Sequence, residues 1–212
     1  GVHQRDDQIS HVIIENKSGR QALAARAVVD ATGDADVCYA AGEETCALDT
    51  NVCSGWFYTY LDSTLPVHKF SQRYDRAGGR QNAQGPFFRG DEAAQVSQQI
   101  IETRKLIRHR LAELRALPGQ ANLQPLMLAN VACLRMTRRL VGSFSLAYKH
   151  VHQWFDDTIG LTGDWRQAGP VYAIPLRCLQ APQTRNLLVA GRCISVHSSA
   201  WDVLRAIPPC TV

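Results

Sequence analysis

Two glycines that follow short apolar segments are the residues of this sequence best placed to hold a ligand. Gly33 follows the segment Ala27–Val29, and Gly191 follows Asn186–Ala190. Aliphatic and β-branched residues favour strands, and the valines suit a strand that is covered on both faces. A glycine after a strand can adopt positive φ and lets a ligand come close to the backbone. Since ligands of open parallel sheets bind at the carboxyl ends of strands, the sequence predicts a ligand site at these two turns.

An acidic pair beside the first turn suggests a second chemistry. The segment Asp34–Val37 mimics the D-x-D-x-[T/V] nucleophile motif of haloacid-dehalogenase-like phosphotransferases. That motif needs its first aspartate directly at the strand end, whereas residues 31–33 intervene here and no suitable lysine motif follows. Serine hydrolysis is disfavoured as well, because the sequence contains no G-x-S-x-G elbow.

The cysteines limit the metal and redox chemistry. None of them belongs to a C-x-x-C pair. An odd number without a pairing pattern favours free thiols in a reducing compartment, so we predict a cytoplasmic protein without a metal. A zinc site from Cys38, Cys46, Cys53 and a histidine is disfavoured because structural zinc uses closer spacings. The seven cysteines are Cys38, Cys46, Cys53, Cys133, Cys178, Cys193 and Cys210.

The composition is that of an ordinary globular protein. The 212 residues are 45% hydrophobic and 20% charged, with a formal net charge of +4. This mildly basic balance suits a pyrophosphate or an acidic substrate, and it predicts no nucleic-acid partner. No apolar run approaches the roughly 18 residues that a membrane span needs, so no membrane partner is predicted.

The elements that would position the two turns can be read from hydrophobic periodicity. A strand over Gln8–Asn16 and an extended segment over Gln21–Val29 predict a hairpin that leads into the first turn. The stretch Ser71–Gly90 is predicted to be a long loop or lid, because it is rich in Gly, Gln, Arg and Asn. Helices are also predicted over 34–41 and 198–204, and strands over 56–61, 171–179 and 186–191.

The clearest helix is predicted over Asp91–Leu117, where Asp91 can cap the start and Pro118 and Gly119 end it. Basic residues crowd its polar faces. They indicate either a solvated face with glutamates nearby or a binding face, and the second interpretation keeps open a non-catalytic remnant or interaction module that uses residues 91–117. The basic residues are Arg104, Lys105, Arg108, Arg110 and Arg115.

An ordered set of segments resembles one family of flavoproteins. Val28–Asp36 is similar to the Ala-Thr-Gly segment of flavoproteins with two dinucleotide-binding domains, and Asn186–Ser195 is similar to the late FAD-contacting strand of the FAD-dependent oxidoreductases. Arg135–Gly142, Tyr172–Arg177 and Arg205–Cys210 match the same family in the expected order. The resemblance therefore spans nearly the whole chain.

The resemblance implies an α/β fold: a partial FAD/NAD(P)-binding Rossmann-like domain with an inserted mixed α+β substrate/cap region. Residues 1–42 and 171–212 would belong to the FAD-binding domain, and residues 43–170 to the substrate/cap region. The implied activity is flavin-mediated hydride transfer on a small organic substrate, with FAD as cofactor. The residues implied to bind FAD are Ala31, Thr32, Gly33, Asp34, Gly191, Arg192, Cys193 and Ile194.

The resemblance also implies that residues after the last strand face the flavin, among them Ser195, His197, Arg205 and the turn Pro208–Cys210. In that setting, His197 could move a proton while the flavin takes a hydride. Arg205 or Arg138 could hold a substrate carboxylate or stabilise an oxyanion. A surface or core role for His197 and a structural role for Arg138 are the alternatives.

The phosphate-binding turn of the family is missing from this sequence. A member begins with a strand, a Gly-x-Gly-x-x-Gly turn and a helix whose N-terminus holds the pyrophosphate. Here the only close glycine pair, Gly78 and Gly79, lacks a preceding apolar run. The chain opens with Gly1 and ends at Val212, where the family would continue into a helix against the flavin. The expectation is a fragment that lacks both ends of the FAD site and binds FAD weakly or not at all.

Overall fold

The computed structural model describes residues 1–71 and 86–211. These residues form two compact units: the outer unit consists of 1–47 and 138–211, and the middle unit of 48–71 and 86–137. The strands are β1 (Val2–Arg5), β2 (Gln8–Asn16), β3 (Gly19–Ala24), β4 (Val28–Asp30), β5 (Thr45–Ala47), β6 (Ser54–Tyr60), β7 (Val67–Ser71), β8 (Gln124–Met127), β9 (Arg138–Leu140), β10 (Thr158–Gly163), β11 (Val171–Pro175) and β12 (Leu187–Val189). The helices are α1 (Asp36–Ala40), α2 (Ala93–Arg115), α3 (Ser198–Leu204) and α4 (Ile207–Cys210).

The grouping of residues 138–170 differs from the boundaries expected from the sequence. The structure groups this segment with the two ends of the chain, whereas the sequence assigned it to the substrate/cap region. The division into functional domains itself stays a prediction.

An antiparallel sheet in the order β1-β2-β3 begins the outer unit. β2 and β3 pair from His11 with Ala24 to Asn16 with Gly19, so the predicted hairpin is confirmed. Gly19 has φ of 93°, a conformation that L-residues rarely adopt. The Asn16 side chain closes the turn by accepting a hydrogen bond from Ser18 N–H at 2.8 Å.

The two glycine turns follow strands that lie side by side. β4 and β12 pair in parallel, with Val28 opposite Leu187 and Val29 opposite Leu188. Their carboxyl ends therefore meet at one edge. The prediction that β4 is covered on both faces is wrong within the described part of the chain, because Val29 is 57% and Leu188 37% exposed. Side chains alternate between faces, so only the other face of this ladder packs on the core.

Two antiparallel pairs, β5 with β9 and β10 with β11, complete the strands of the outer unit. The predicted helix over 198–204 is confirmed as α3. The predicted strand over 171–179 ends earlier, since β11 stops at Pro175 and residues 176–178 form a single 3₁₀ turn. The largest buried side chains of these elements include Leu140, Tyr172, Trp201 and Leu204.

An ion pair after β10 makes the free energy of unfolding of the outer unit depend on pH in the acid range. Arg166 donates from Nε and Nη2 to the two carboxylate oxygens of Asp164, at 2.9 and 2.7 Å. The Asp164 side chain is fully buried. The hydrogen bonds from Arg166 hold the pKa of Asp164 below its ordinary value. Because the folded-state pKa is depressed, the stabilisation is present above the unfolded pKa of about 4 and is lost as the pH falls through the folded pKa.

Arg166→Gln is therefore expected to lower the free energy of unfolding by about 2 kcal/mol at pH 7, the scale of hydrogen bonds to a charged group. The difference from the wild type should shrink below about pH 4, where the unfolded carboxyl takes up a proton. Urea unfolding between pH 7 and pH 3 measures both effects. The matched control is Arg20→Gln, which removes an exposed pair with Glu15 and should change stability little. A deficit that stays constant down to pH 3 would contradict the assignment.

The middle unit is an antiparallel sheet in the order β7-β6-β8 with the long helix α2 against it. One apolar cluster joins the helix to the sheet, and it includes Phe57 of β6 together with Ile107, Leu111 and Leu114 of α2. The predicted aromatic strand and the predicted long helix are both present. The predicted cap is wrong: Glu92 occupies the N-cap position, and the Asp91 carboxylate binds Arg89.

The basic residues of α2 have acidic or carbonyl partners on several of its turns. Lys105 pairs with Glu102 at 2.8 Å, and Arg110 pairs with Glu113 at 2.7 Å. Arg115 donates to the backbone carbonyl of Leu123 at 2.8 Å. This pattern is typical of a solvated helix face with local charge pairs.

Most of the predicted loop or lid over 71–90 lies outside the described residues, as do the glycine pair at 78 and 79 and the terminal residue 212. Of the helices in the described ranges, none combines the length and the apolar composition that crossing a lipid bilayer requires.

Candidate functional site

A buried aspartate shapes the first glycine turn. Asp30, the last residue of β4, is fully buried. Its Oδ1 accepts hydrogen bonds from the N–H and the hydroxyl of Thr32, at 3.1 and 2.7 Å. Its Oδ2 accepts from the N–H groups of Val37 and Cys38, both at 2.9 Å. One carboxylate thus accepts hydrogen bonds from N–H groups in the first turn of α1 and from the turn before it. These hydrogen bonds hold residues 31–35 in a defined loop.

The residues predicted to hold FAD in this loop differ in accessibility. Ala31 and Thr32 are exposed, whereas Gly33 and Asp34 are half-buried. Gly33 has φ of 80°, and a Cβ atom there would lie 3.1 Å from the Arg192 guanidinium. Residues 31 and 32 are therefore the part of the loop that a ligand can approach.

Arg192 ties the first turn to the second. Its Nε donates to the carbonyl of Gly33 at 2.8 Å, and its Nη2 donates to the carboxylate of Asp34 at 2.7 Å. The backbone carbonyl of Arg192 accepts from the indole N–H of the buried Trp201 at 2.6 Å. The predicted FAD-binding residues of the two turns are therefore brought together, and Arg192 serves as the link between them.

The end of β12 leaves open space beside its glycine. Gly191 has φ of 79°, and a Cβ built there meets no atom within 4 Å. A largely apolar cavity of about 250 Å³ adjoins this position and is also lined by Ile194, Pro209 and Cys210. Small-molecule sites usually measure about 300–1,000 Å³, so the cavity suits one portion of a dinucleotide.

Cys193, predicted to contact FAD, is fully buried with its Sγ 3.4 Å from the carbonyl oxygen of Ala190. Burial raises the pKa of the Cys193 thiol to about 11. At neutral pH the sulfur is therefore a protonated, packed side chain.

Arg138 lies against the first turn. Its Nε donates to the backbone carbonyl of Asp34 at 2.8 Å, and its Nη2 donates to the Asp36 carboxylate. Its guanidinium also stacks over the Tyr39 ring, with 4.4 Å between the guanidinium carbon and the ring centroid. These contacts support the structural alternative for Arg138. Both aspartates of the phosphotransferase-like motif are therefore engaged: the Asp36 carboxylate accepts from Arg138, and the Asp34 carboxylate accepts from Arg192.

Its neighbour Arg139 has a different environment, because successive side chains of β9 point to opposite faces. The guanidinium carbon lies 5.5 Å from the centroid of the Trp201 ring, and Nη1 donates to the carbonyl of Leu140 at 3.2 Å. Among the described residues, the buried Nε of Arg139 has no hydrogen-bond partner. Burial lowers the pKa of Arg139. A partly buried cation with an unused donor is suited to an anionic ligand.

His197 is an exposed residue at the start of α3. Its Nδ1 lies 2.9 Å from the hydroxyl oxygen of Ser199 and accepts from the Ser199 N–H at 3.2 Å. The ring therefore serves as the N-cap of the helix, which a histidine seldom does. In the described part of the chain, no hydrogen bond engages its Nε2.

Ser195 and Arg205 are both engaged by other protein groups. The buried Ser195 hydroxyl oxygen accepts from Gly142 N–H at 2.9 Å and lies 2.8 Å from the Ser145 hydroxyl oxygen. Arg205 donates from Nε and Nη2 to Oδ1 of Asp202, a fully buried carboxylate. The structure thus places the three predicted catalytic residues, Arg138, His197 and Arg205, in separate local hydrogen-bond networks.

Sequence reasoning missed two residues of the site. Asp30 was not among the predicted site residues, although an acid directly at a strand end and seven residues before a helical N–H is a signal for capping. Arg139 was not among the predicted site residues, although alternation along a strand predicts that Arg138 and Arg139 face different surroundings. Among the described residues, no group of three or more His, Cys, Asp or Glu side chains is arranged to bind a metal.

Comparison with protein families gives one match, to a family described as FAD dependent oxidoreductase, over residues 1–51 and 56–212. No curated protein matches the chain, and no solved structure does so.

Proposed function

The chain belongs to the FAD-dependent oxidoreductase family, and from that premise we propose that the carboxyl edge of β4 and β12 holds part of the FAD. FAD is the cofactor of this family, and when bound it supplies the two-electron acceptor. The observation that carries the proposal is the parallel pairing of these strands, which places the two glycine turns at one edge. The proposed activity is hydride transfer on a small organic substrate, in a cytoplasmic enzyme with an α/β FAD-binding part.

The residues at this edge fit a dinucleotide in two respects. The open space beside Gly191 lets a ligand lie against the backbone. Ala31 and Thr32, which are exposed, let a ligand approach the neighbouring strand end. In this proposal Arg192 and Asp30 act on the ligand only through the loop that they hold in place.

Two side chains are proposed to act on the substrate or the flavin. His197 is exposed and has its Nδ1 held by Ser199, which makes Nε2 the ring nitrogen suited to proton transfer. Arg139 is proposed as the residue that stabilises an anion, in preference to Arg138 and Arg205, because those two donate to aspartates. The unused Nε of Arg139 supports this choice.

FAD binding to the 212-residue chain is expected to be weak. The sequence contains no Gly-x-Gly-x-x-Gly turn, so the helix N-terminus that holds a pyrophosphate has no counterpart in it. We expect a dissociation constant on the order of 1 mM, equivalent to about −4 kcal/mol. Equilibrium dialysis with FAD measures it. Stoichiometric flavin in the purified protein would contradict this expectation.

Amide chemical shifts of the isotope-labelled chain, recorded with millimolar FAD, test where the cofactor binds. Changes are expected at residues 31–33 and 190–194, and Gly191→Ala should weaken binding at least about tenfold, or 1.4 kcal/mol. The matched control is Gly119→Ala, because Gly119 has nearly the same φ of 76° and equally open space. Both variants carry the same backbone strain, so only Gly191→Ala should affect FAD. Equal effects of the two variants, or shifts confined to residues away from both turns, would overturn the proposal.

A further inference from the structure

The middle unit contains a cavity whose lining includes no residue of the two glycine turns. It measures about 360 Å³ and lies along β6 and β7, where Trp56 contributes an aromatic wall. Cys133 and Arg135, from the segment after β8, close another side. Its volume falls at the lower end of the range of about 300–1,000 Å³ that small-molecule sites occupy.

The strand register sets polar groups beside one aromatic wall. Ser54 and Trp56 are two residues apart on β6, so their side chains share one face of the sheet. Across the strands, Ser54 pairs with Ser71 and Trp56 pairs with Lys69. Cross-strand partners lie on the same face, which places the Lys69 side chain beside the Trp56 ring.

The buried hydroxyl of Ser54 indicates that the cavity is a ligand site. The residue is only 3% exposed, and it lines the cavity. In the described part of the chain, its hydroxyl has no hydrogen-bond partner. Buried hydroxyl groups are almost always hydrogen-bonded, because leaving one unpaired is costly. A polar ligand atom inside the cavity would satisfy this hydroxyl.

Lys69 adds a cation to the same face. Its side chain is exposed, and it forms no ion pair within residues 1–71 and 86–211. Arg135 is already anchored, since its Nη2 donates to the Ser71 hydroxyl at 3.1 Å and its N–H to the Asn51 side chain at 2.7 Å. The flexible ammonium of Lys69 is therefore the group that can turn toward a ligand.

We propose that this cavity binds an aromatic carboxylate. The ring of the ligand packs against Trp56, and its carboxylate accepts hydrogen bonds from Lys69 and Ser54. Apolar walls with few polar groups are the usual design of small-molecule sites. The Lys69 ammonium can pair with a carboxylate while Arg135 stays bound to Ser71 and Asn51. The site requires no flavin, so it stands or fails independently of the FAD proposal.

Calorimetric and amide-shift titrations of the 212-residue protein with benzoate test the site. Saturable binding is expected with a dissociation constant of about 1 mM or tighter, in line with the efficiency of small ligands. The amides of Ser54, Trp56 and Lys69 should shift. Benzamide, which has the same shape without the charge, should bind at least tenfold more weakly.

Lys69→Met keeps the aliphatic stem and removes the charge, and it is expected to weaken benzoate binding at least tenfold. Lys69 is exposed, so this variant should fold like the wild type. Lys17→Met, on an exposed turn of the outer unit, is the matched control and should leave benzoate binding unchanged. Since the expected dissociation constant is about 1 mM, benzoate that fails to approach saturation by about 20 mM would overturn the proposal. Equal affinity of the wild type and Lys69→Met would overturn it as well.

Discussion

Asp30→Ala is expected to lower the free energy of unfolding by about 4 kcal/mol. The Asp30 carboxylate is fully buried and accepts four hydrogen bonds, two from Thr32 and one each from the N–H groups of Val37 and Cys38. Alanine removes all four acceptor contacts at once. Each buried donor left unpaired costs about 1–3 kcal/mol, and Cys38 lies in the core. Urea unfolding measures the loss as a lower midpoint at an unchanged slope.

Two variants make this test specific. Asp30→Asn keeps the shape but turns an NH₂ group toward N–H donors, so it should remain clearly destabilised. Asp156→Ala removes an exposed aspartate and should change stability by less than about 0.5 kcal/mol. If Asp30→Ala cost no more than Asp156→Ala, the carboxylate would not be the group that holds the turn.

Arg205→Met is expected to cost about 3–5 kcal/mol, because it leaves the buried carboxylate of Asp202 without its arginine. Both Nε and Nη2 of Arg205 donate to Oδ1 of Asp202, whose side chain is fully buried. This places Arg205 in the packing of α3. Thermal or urea unfolding should show the loss in the absence of any flavin or substrate.

A double variant separates the structural role of Arg205 from the catalytic role implied by the resemblance. Asp202→Leu with Arg205→Met removes both charges, so it should recover most of the stability lost in Arg205→Met alone. Arg185→Met is the control, since the Arg185 pair with Asp7 is largely exposed and should contribute at most about 1 kcal/mol. Full stability of Arg205→Met would contradict the structural role.

The open face of the β4–β12 ladder shows where reasoning from local sequence failed. The apolar residues of β4 and β12 predict strands correctly, because β-branched and aliphatic side chains favour that conformation. They do not reveal whether one face or both are covered, since that depends on what packs against the sheet. Val29 and Leu188 lie side by side on the exposed face.

The arginines show the same limit at the level of single side chains. The sequence places Arg138 and Arg139 next to each other, and residue type alone makes either suitable for an anion. Only the tertiary structure sets Arg138 against Asp36 and Tyr39, and Arg139 against Trp201. The sequence separation between these partners is too large for any local pattern to indicate them.

By itself, the sequence determined the family, its FAD cofactor and most of the strands and helices, because hydrophobic periodicity, glycine turns and motif order are local properties. The tertiary structure decided which side chains act together. It joined Gly33 and Asp34 to Arg192 across the parallel ladder, and it buried Asp30 and Asp202 beside their donors. Those outcomes depend on contacts between residues far apart in the chain, where burial and hydrogen bonding determine whether a charge stabilises the fold or stays available for chemistry.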